Sequence, residues 1–142
     1  NSAMVMKGQE DLFSTVDISE LDLYDGPCRF YKIGAAATFI RRNGIVECLI
    51  STSLPVGVSY KLDMEKSEKD LYNGDFLVMV SDGVLEYLHV PNPEETMQEI
   101  IESIETNNAT ILAKRILERV LLFTGGKAAD DMTVLATAIW EK

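Results

Sequence analysis

The chain shows a run of short apolar or alternating segments that end at turn residues, followed by two segments with helical spacing. Strands are predicted in FSTVDISELDLY, CRFYKIG, TFIRR, IVECLI, YKLDMEKSEKDL and FLVMVSD, after a helix end at residues 2–6. Turn signals lie at Asp25-Gly26 and Asn43-Gly44, and the second predicts a tight hairpin. The apolar run FLVMV is typical of a strand that is buried on both faces. The polar YKLDMEKSEKDL favours an edge or curved strand.

Two helices and a last strand are predicted after this run of strands. Asn92 is the expected cap of the first helix, with Pro93 at its first position and Glu95 placed for a capping box. The second helix is expected to begin after Asn108 and to end at Gly125-Gly126. A final strand covers residues 132–139. This order of elements predicts an α+β fold with helices packed on antiparallel sheets, in a single domain at this length.

Composition narrows the partners that the chain can have. It contains 13 Lys and Arg against 23 Asp and Glu, so its net charge is −10. A surface this acidic argues against nucleic acid and against docking on anionic lipid. No apolar run reaches the ~20 residues that span a bilayer, although an upstream region of a longer parent protein could carry an anchor. Cys28 and Cys48 are expected to be free thiols that pack as small hydrophobes, which favours the cytoplasm.

Three carboxylates stand at the ends of apolar strands. Asp82 follows LVMVS, and Asp130 and Asp131 precede MTVLATAI. If the last strand runs antiparallel beside FLVMV, the exit of one strand and the entry of the other meet at one sheet edge. Carboxylates without a basic partner repel each other, and oxygen ligands favour a hard cation such as Mg²⁺ or Mn²⁺. The alternative interpretation is that Asp82-Gly83 is an ordinary turn, because this dipeptide is common.

Longer motifs resemble a known family. NGDFLVMVSDGVLE (73–86) followed by ADDMTVLA (129–136) resembles the metal-dependent PPM protein phosphatases, the protein phosphatase 2C class. Within that class the chain resembles the bacterial branch of stage II sporulation protein E and the stress-response phosphatases. FYKIGAAATFIRRNG (30–44) and SLPVGV (53–58) are similar to further motifs of that branch. The resemblance runs the length of the chain and implies a phosphatase 2C-like α-β-β-α sandwich of antiparallel sheets.

The resemblance implies a role for each carboxylate. Asp82 matches the aspartate of the family's Asp-Gly strand end, and Asp130 matches the first residue of its Asp-Asp or Asp-Asn pair. Both would be metal ligands and catalytic residues, with Asp131 a weaker ligand candidate. Asp75 matches a Gly-Asp turn and would bond within that turn, whereas Glu86 matches an acidic position without an assigned role. In an intact domain two Mn²⁺ or Mg²⁺ ions would activate water for attack on phosphate.

The family's first metal motif, an aspartate-rich stretch with Asp-Gly, does not occur before Asp82. Asp11 and Asp25-Gly26 are the only candidates, and both lie in the wrong order relative to the strands. Residues 1–142 are therefore predicted to be the carboxy-terminal part of a PPM-type phosphatase domain, lacking its amino-terminal strands. The intact domain is expected to be an enzyme and this part alone to be inactive. Open sheet edges predict a homodimer or a swapped arrangement.

The implied activity is hydrolysis of phosphoserine or phosphothreonine in a protein substrate of the anti-sigma-factor antagonist type. This reaction would activate a sigma factor in sporulation or the stress response. Two other classes stay open, namely a catalytically silent phosphatase-like interaction module and an unrelated acidic α+β binding domain. The sequence upstream of Asn1 would discriminate between the enzyme and the silent module.

Overall fold

The computed structural model describes residues 13–22, 27–123, 125–126 and 131–140, which form seven strands and three helices. The strands are β1 (Val16–Glu20), β2 (Cys28–Ile33), β3 (Thr38–Arg42), β4 (Ile45–Leu49), β5 (Glu65–Lys69), β6 (Phe76–Val80) and β7 (Val134–Ala138). The helices are α1 (Asp82–Glu86), α2 (Pro93–Glu102) and α3 (Ala109–Phe123). All the strand pairs are antiparallel, so the predicted α+β class is confirmed. The predicted helix end at 2–6 and the turn at Asp25-Gly26 lie outside the described residues.

The chain divides into two compact units, Asn1–Ala35 with Ser51–Leu71 and Ala36–Ile50 with Tyr72–Lys142. The first unit contains a three-stranded sheet in the order β1-β2-β5, so the polar β5 is an edge strand, as predicted. Gly34 has a φ of +58°, and a Cβ there would lie 2.6 Å from the Pro55 backbone. The SLPVGV motif therefore packs directly against the end of β2, where only glycine fits.

The second unit contains a four-stranded sheet in the order β4-β3-β6-β7. β6 is central, and most of its side chains are buried, which explains its unbroken apolar sequence. The hairpin between β3 and β4 is confirmed, because Arg42 pairs with Ile45 across the turn. Asn43 and Gly44 have φ angles of 51° and 82°, as a two-residue hairpin turn of this kind requires.

Both longer helices begin at residues that the sequence indicated, and α3 also ends where it was predicted to end. Asn92 lies at the cap of α2, but its Nδ2 donates to Glu95 Oε2 over 2.9 Å in place of the usual capping-box bonds. Asn108 Oδ1 accepts the Ile111 N–H at the start of α3. After α3, Gly125 and Gly126 have positive φ and donate to the carbonyls of the last turn. The described residues include no helix that is long and apolar enough to cross a membrane.

A buried arginine joins β3 to the chain beyond α2. The guanidinium of Arg41 donates to the carbonyls of Ile104 and Thr106 over 2.7 and 2.6 Å. It also lies 4.3 Å above the centre of the Phe76 ring. Burial lowers the pKa of Arg41, and the two carbonyls and the ring replace the water that the charged group has lost.

Both cysteines are free thiols, as predicted. Cys28 is buried at the start of β2, and Cys48 is partly buried in β4. The burial of Cys28 confirms its predicted use as a small hydrophobic side chain.

Candidate metal centre

The exit of β6 and the entry of β7 lie side by side at one edge of the four-stranded sheet. The two strands pair antiparallel from Phe76 and Ala138 to Val80 and Val134. Ser81 extends this pairing, because its N–H donates to the Thr133 carbonyl and its Oγ accepts the Thr133 N–H, both over 3.0 Å. The predicted antiparallel neighbourhood of these strands is confirmed. The sequence analysis did not predict that the Ser81 hydroxyl bonds to the neighbouring strand. The serine directly before Asp82-Gly83 is the feature of the sequence that could have indicated it.

Asp82 lies at the first position of α1, after Ser81 in extended conformation. The expectation that the strand continues to Asp82 is therefore wrong, since β6 ends at Val80. Asp82 Oδ1 accepts the N–H of Gly83 over 2.9 Å. The side chain is exposed, and among the described residues it forms no ion pair. Its carboxylate is thus held at the end of the sheet with most of its oxygen lone pairs directed to solvent.

Gly83 brings the two strand ends into contact. A Cβ at this position would lie 2.5 Å from the carbonyl oxygen of Asp131 and 3.5 Å from its carbonyl carbon. The φ of Gly83 is not in the left-handed region, so the backbone conformation does not require a glycine here. The close approach of Asp131 is the reason for the glycine, because any larger side chain would displace the start of α1 or the residues before β7.

The structure describes two of the three remaining acidic candidates. Asp131 and Glu86 are both exposed. Asp130, the stronger of the two ligand candidates before β7, lies outside the described residues. Within the described ranges no group of three or more His, Cys, Asp or Glu side chains is arranged to hold a metal ion. The structure thus brings Asp82 and the backbone of Asp131 to the same edge, and the roles of Asp82, Asp130 and Asp131 as ligands stay predictions.

Asp75, at the opposite end of β6, has the local role that the sequence predicted and a further partner. Its Oδ2 accepts the Tyr72 N–H over 2.8 Å, which closes the turn before the strand. Arg42 donates from Nε to Oδ1 over 3.0 Å and from Nη2 to Oδ2 over 2.6 Å. This hydrogen bond with Asp75 raises the pKa of Arg42. Asp75 is therefore fully paired with protein groups and is a structural residue.

The chemistry of the groups at the β6–β7 edge fits a hard divalent cation. The exposed Asp82 carboxylate and the Asp131 backbone carbonyl, which packs against Gly83, both offer oxygen atoms as metal ligands. Oxygen is the ligand type that Mg²⁺ and Mn²⁺ prefer. The tight packing of Gly83 on Asp131 fixes the spacing of the two strand ends before any ion binds. Such preformed spacing reduces the cost of assembling a site.

Comparisons with known proteins agree with this arrangement of strands. The model of the stage II sporulation protein E family matches residues 1–139. Stage II sporulation protein E of Bacillus subtilis strain 168 is 34% identical over 140 residues, which cover 98% of this chain and 17% of that protein. The chain therefore spans about a sixth of this curated relative.

Two solved structures of the same Bacillus subtilis protein share the fold. The first contains its PP2C phosphatase domain with a fragment of the regulatory domain. It has a TM-score of 0.88 at 33% identity, and the match covers 98% of this chain and 42% of that one. The second is the phosphatase domain presoaked with Mn. It has a TM-score of 0.80 at 32% identity, and the match covers 91% of this chain and 58% of that one. The chain belongs to the stage II sporulation protein E family, and its fold is that of protein phosphatase 2C domains.

Proposed function

We propose that the chain is part of a metal-dependent protein serine/threonine phosphatase domain, to which it contributes Asp82 and the acidic pair Asp130-Asp131. The observation that carries this proposal is the contact of Gly83 with the Asp131 carbonyl, which holds Asp131 beside the start of α1, next to Asp82. Family membership and the phosphatase domains among the similar structures support it.

In this proposal Asp82 and Asp130 hold Mn²⁺ or Mg²⁺ ions, and Asp131 gives weaker support. When bound, the ions would supply Lewis-acid chemistry for water activation and for neutralising phosphate charge. The Ser81 bonds to Thr133 and the packing of Gly83 keep the two carboxylate-bearing segments in register. Asp82 is positioned by its bond to the Gly83 N–H, and its exposure leaves room for a phosphoprotein to approach.

The proposed substrate is a phosphoserine or phosphothreonine in a protein of the anti-sigma-factor antagonist type, so that the reaction activates a sigma factor in sporulation or the stress response. A cytoplasmic location and a homodimer belong to the same proposal. The net charge of −10 supports a protein substrate over nucleic acid. The alternative function is a catalytically silent phosphatase-like interaction module.

Metal binding tests the proposed ligands in this chain. We expect weak Mn²⁺ binding, because two or three carboxylates leave most of an octahedral shell to water. Asp82→Asn and Asp130→Asn should each weaken binding about tenfold, and Asp131→Asn should weaken it less. Glu99→Gln, an exposed charge change on α2, is the matched control and should leave the Mn²⁺ affinity unchanged. The measurement is calorimetric titration, and equal affinities in all the variants would show that the metal site is misplaced.

Phosphate release tests the activity. The substrate is a phosphoserine protein with excess Mn²⁺, and the comparison is between this chain and one extended at its amino terminus to include the family's first metal motif. We expect turnover from the longer chain and little from this one. Equal rates would show that the missing motif is dispensable. An inactive longer chain that still binds its partner would favour the silent interaction module.

A further inference from the structure

A groove of about 320 Å³ lies between the end of α2 and one side of α3. Its lining residues are Ser103, Ile104, Arg115, Glu118, Arg119 and Leu122. A different row of α3 side chains, fully buried, packs into the core. Strands that a longer chain adds to the four-stranded sheet would lie at its edges, whereas this chain itself forms both walls of the groove. The groove therefore does not depend on further strands at those edges.

The base and the ends of this α2–α3 groove are apolar. Ile104 is 3% exposed, so it lies at the base. Leu122 is 74% exposed at one end of the same α3 face. Ile111, which is 42% exposed, stands on that face about 16 Å earlier along the helix axis, at ~1.5 Å per residue. This face can thus contact about three turns of a partner helix.

Two arginines stand between these apolar ends. Arg115 and Arg119 are both exposed, and side chains four positions apart on a helix are roughly 5–6 Å apart. Arg115 Nη1 donates to the Glu105 carbonyl over 3.3 Å, which holds the guanidinium beside the groove without neutralising its charge. Among the described residues neither arginine forms an ion pair. The groove therefore presents two positive charges in a chain whose net charge is −10.

An acidic side chain, Glu118, also lines the groove. Its carboxylate pairs with Lys114 Nζ over 3.8 Å. Both groups are exposed, so the pair contributes little to stability, but the charge of Lys114 offsets that of Glu118. The whole of α3 carries three basic residues and one acidic residue, whereas α2 carries four glutamates and no basic residue. Positive charge is thus concentrated on α3.

We infer that the α2–α3 groove is a docking site for an acidic helical segment of a partner protein, independently of the proposed enzymatic function. Two carboxylates one turn apart on the partner would each meet one guanidinium, and such charge-assisted bonds are strong and often bidentate. Apolar side chains on the same face of the partner would cover Ile104 and Leu122. The occupant's chemistry follows from this combination of positive charge and apolar surface.

The net charge of the chain restricts the occupant to a short segment. A polyanion such as a nucleic acid or an anionic membrane would meet the repulsion of the whole acidic surface. A short segment lies within about one Debye length, ~8 Å, of the two arginines and is attracted locally. Because the attraction is between exposed charges, salt should weaken the docking.

Fluorescence anisotropy with a labelled peptide tests the inference. The probe has about 15 residues of Glu, Ala and Leu, with Leu at helical spacing, so that it can form an amphipathic helix. We expect saturable binding that weakens several-fold as salt is raised from ~0.1 to ~1 M. The same peptide with every Glu replaced by Gln should bind about tenfold more weakly or not at all. Equal binding of the two peptides, or binding that salt strengthens, would overturn the inference.

A charge reversal tests the residues of the groove. Arg119→Glu should weaken binding of the acidic peptide at least about tenfold, because it places a like charge between the two ends of the face. Lys66→Glu, at an exposed position on β5, is the matched control. It makes the same change in net charge and should leave the affinity within about twofold of the parent. An equal loss in both variants would show that only the net charge matters.

Nuclear magnetic resonance of the unsubstituted chain locates the peptide without relying on a variant. The backbone amides of residues 103–104 and 115–122 should shift most on addition of the peptide. Shifts concentrated on another surface would overturn the inference. The chain extended at its amino terminus should bind the peptide with the same affinity. Loss of binding there would show that an upstream segment occupies the groove, which would overturn a partner's docking site.

Discussion

The two ends of β6 carry aspartates with opposite surroundings. Asp75, before the strand, is 2% exposed and receives hydrogen bonds from Arg42 and from the Tyr72 N–H. Asp82, after the strand, is exposed and accepts one described bond, from its neighbour Gly83. Burying a carboxylate is costly unless partners replace its water, and Asp75 has those partners.

The comparison shows how to separate a structural carboxylate from a candidate ligand on the same strand. Asp75 has its charge neutralised by Arg42 and its oxygens used by the fold, so it has little left to offer a cation. Asp82 is fixed in position by its backbone while its oxygens stay available. Availability at a fixed position, more than the Asp-Gly sequence itself, makes Asp82 the candidate.

The largest effect on stability is expected from Asp75→Asn, and the same exchange at Asp82 is its comparison. Asp75→Asn should lower the free energy of unfolding by about 2–3 kcal/mol, because it breaks a buried ion pair. The loss stays moderate because the Arg42 side chain is 42% exposed and keeps part of its hydration. Asp82→Asn should change stability by no more than about 0.5 kcal/mol. Urea unfolding of both variants measures the difference, and equal losses would remove the distinction between the two ends.

A somewhat smaller loss is expected from Gly83→Ala. The added methyl group would meet the Asp131 carbonyl at 2.5 Å, and relieving such overpacking costs about 1–2 kcal/mol. The shift should also weaken Mn²⁺ binding, because it separates the two acidic segments. Glu86→Ala, an exposed position on the same helix, is the control and should leave unfolding within about 0.5 kcal/mol of the parent. A Gly83→Ala chain as stable as the parent would mean that the contact is not tight.

The last effect is absent at neutral pH, and it extends the contrast between buried and accessible groups to a thiol. Burial, together with the charge of Glu20, raises the pKa of Cys28 to about 11, whereas an unfolded thiol titrates near ~8.5. The folded chain holds the proton more tightly, so the stability from this group is complete below pH ~8.5 and is lost as pH rises toward about 11. The stability difference between the parent and Cys28→Ala should therefore shrink over this interval. Urea unfolding at several pH values checks this, and a constant difference would contradict it.

Local signals in the sequence predicted most of the helices, strands and turns. The features that could not be predicted depend on contacts between residues that are distant in the sequence. The Asn43-Gly44 hairpin and the caps of α2 and α3 depend on residues within a few positions of each other, so composition and spacing were sufficient. The Arg42–Asp75 pair joins residues 33 positions apart and left no local trace.

The candidate site shows the same limit. The sequence placed Asp82 at a strand exit and the acidic pair at a strand entry, and the antiparallel pairing of β6 with β7 that this interpretation assumed is present in the structure. The true reason for Gly83 could not be predicted, because it depends on a carbonyl 48 residues later in the chain. The five-residue helix α1 was also missed, since Asp-Gly is first of all a turn signal.

The hydrogen bonds of Arg41 have a consequence for folding kinetics. They reach carbonyls 63 and 65 residues away in sequence, so they cannot form before β3 and the end of α2 have come together. We expect these side-chain bonds to form after the main barrier to folding has been crossed, because both elements must already be in place. Interactions absent from the transition state slow unfolding and hardly change the folding rate. We therefore expect Arg41 to determine how long the folded unit persists, with little influence on how fast it forms.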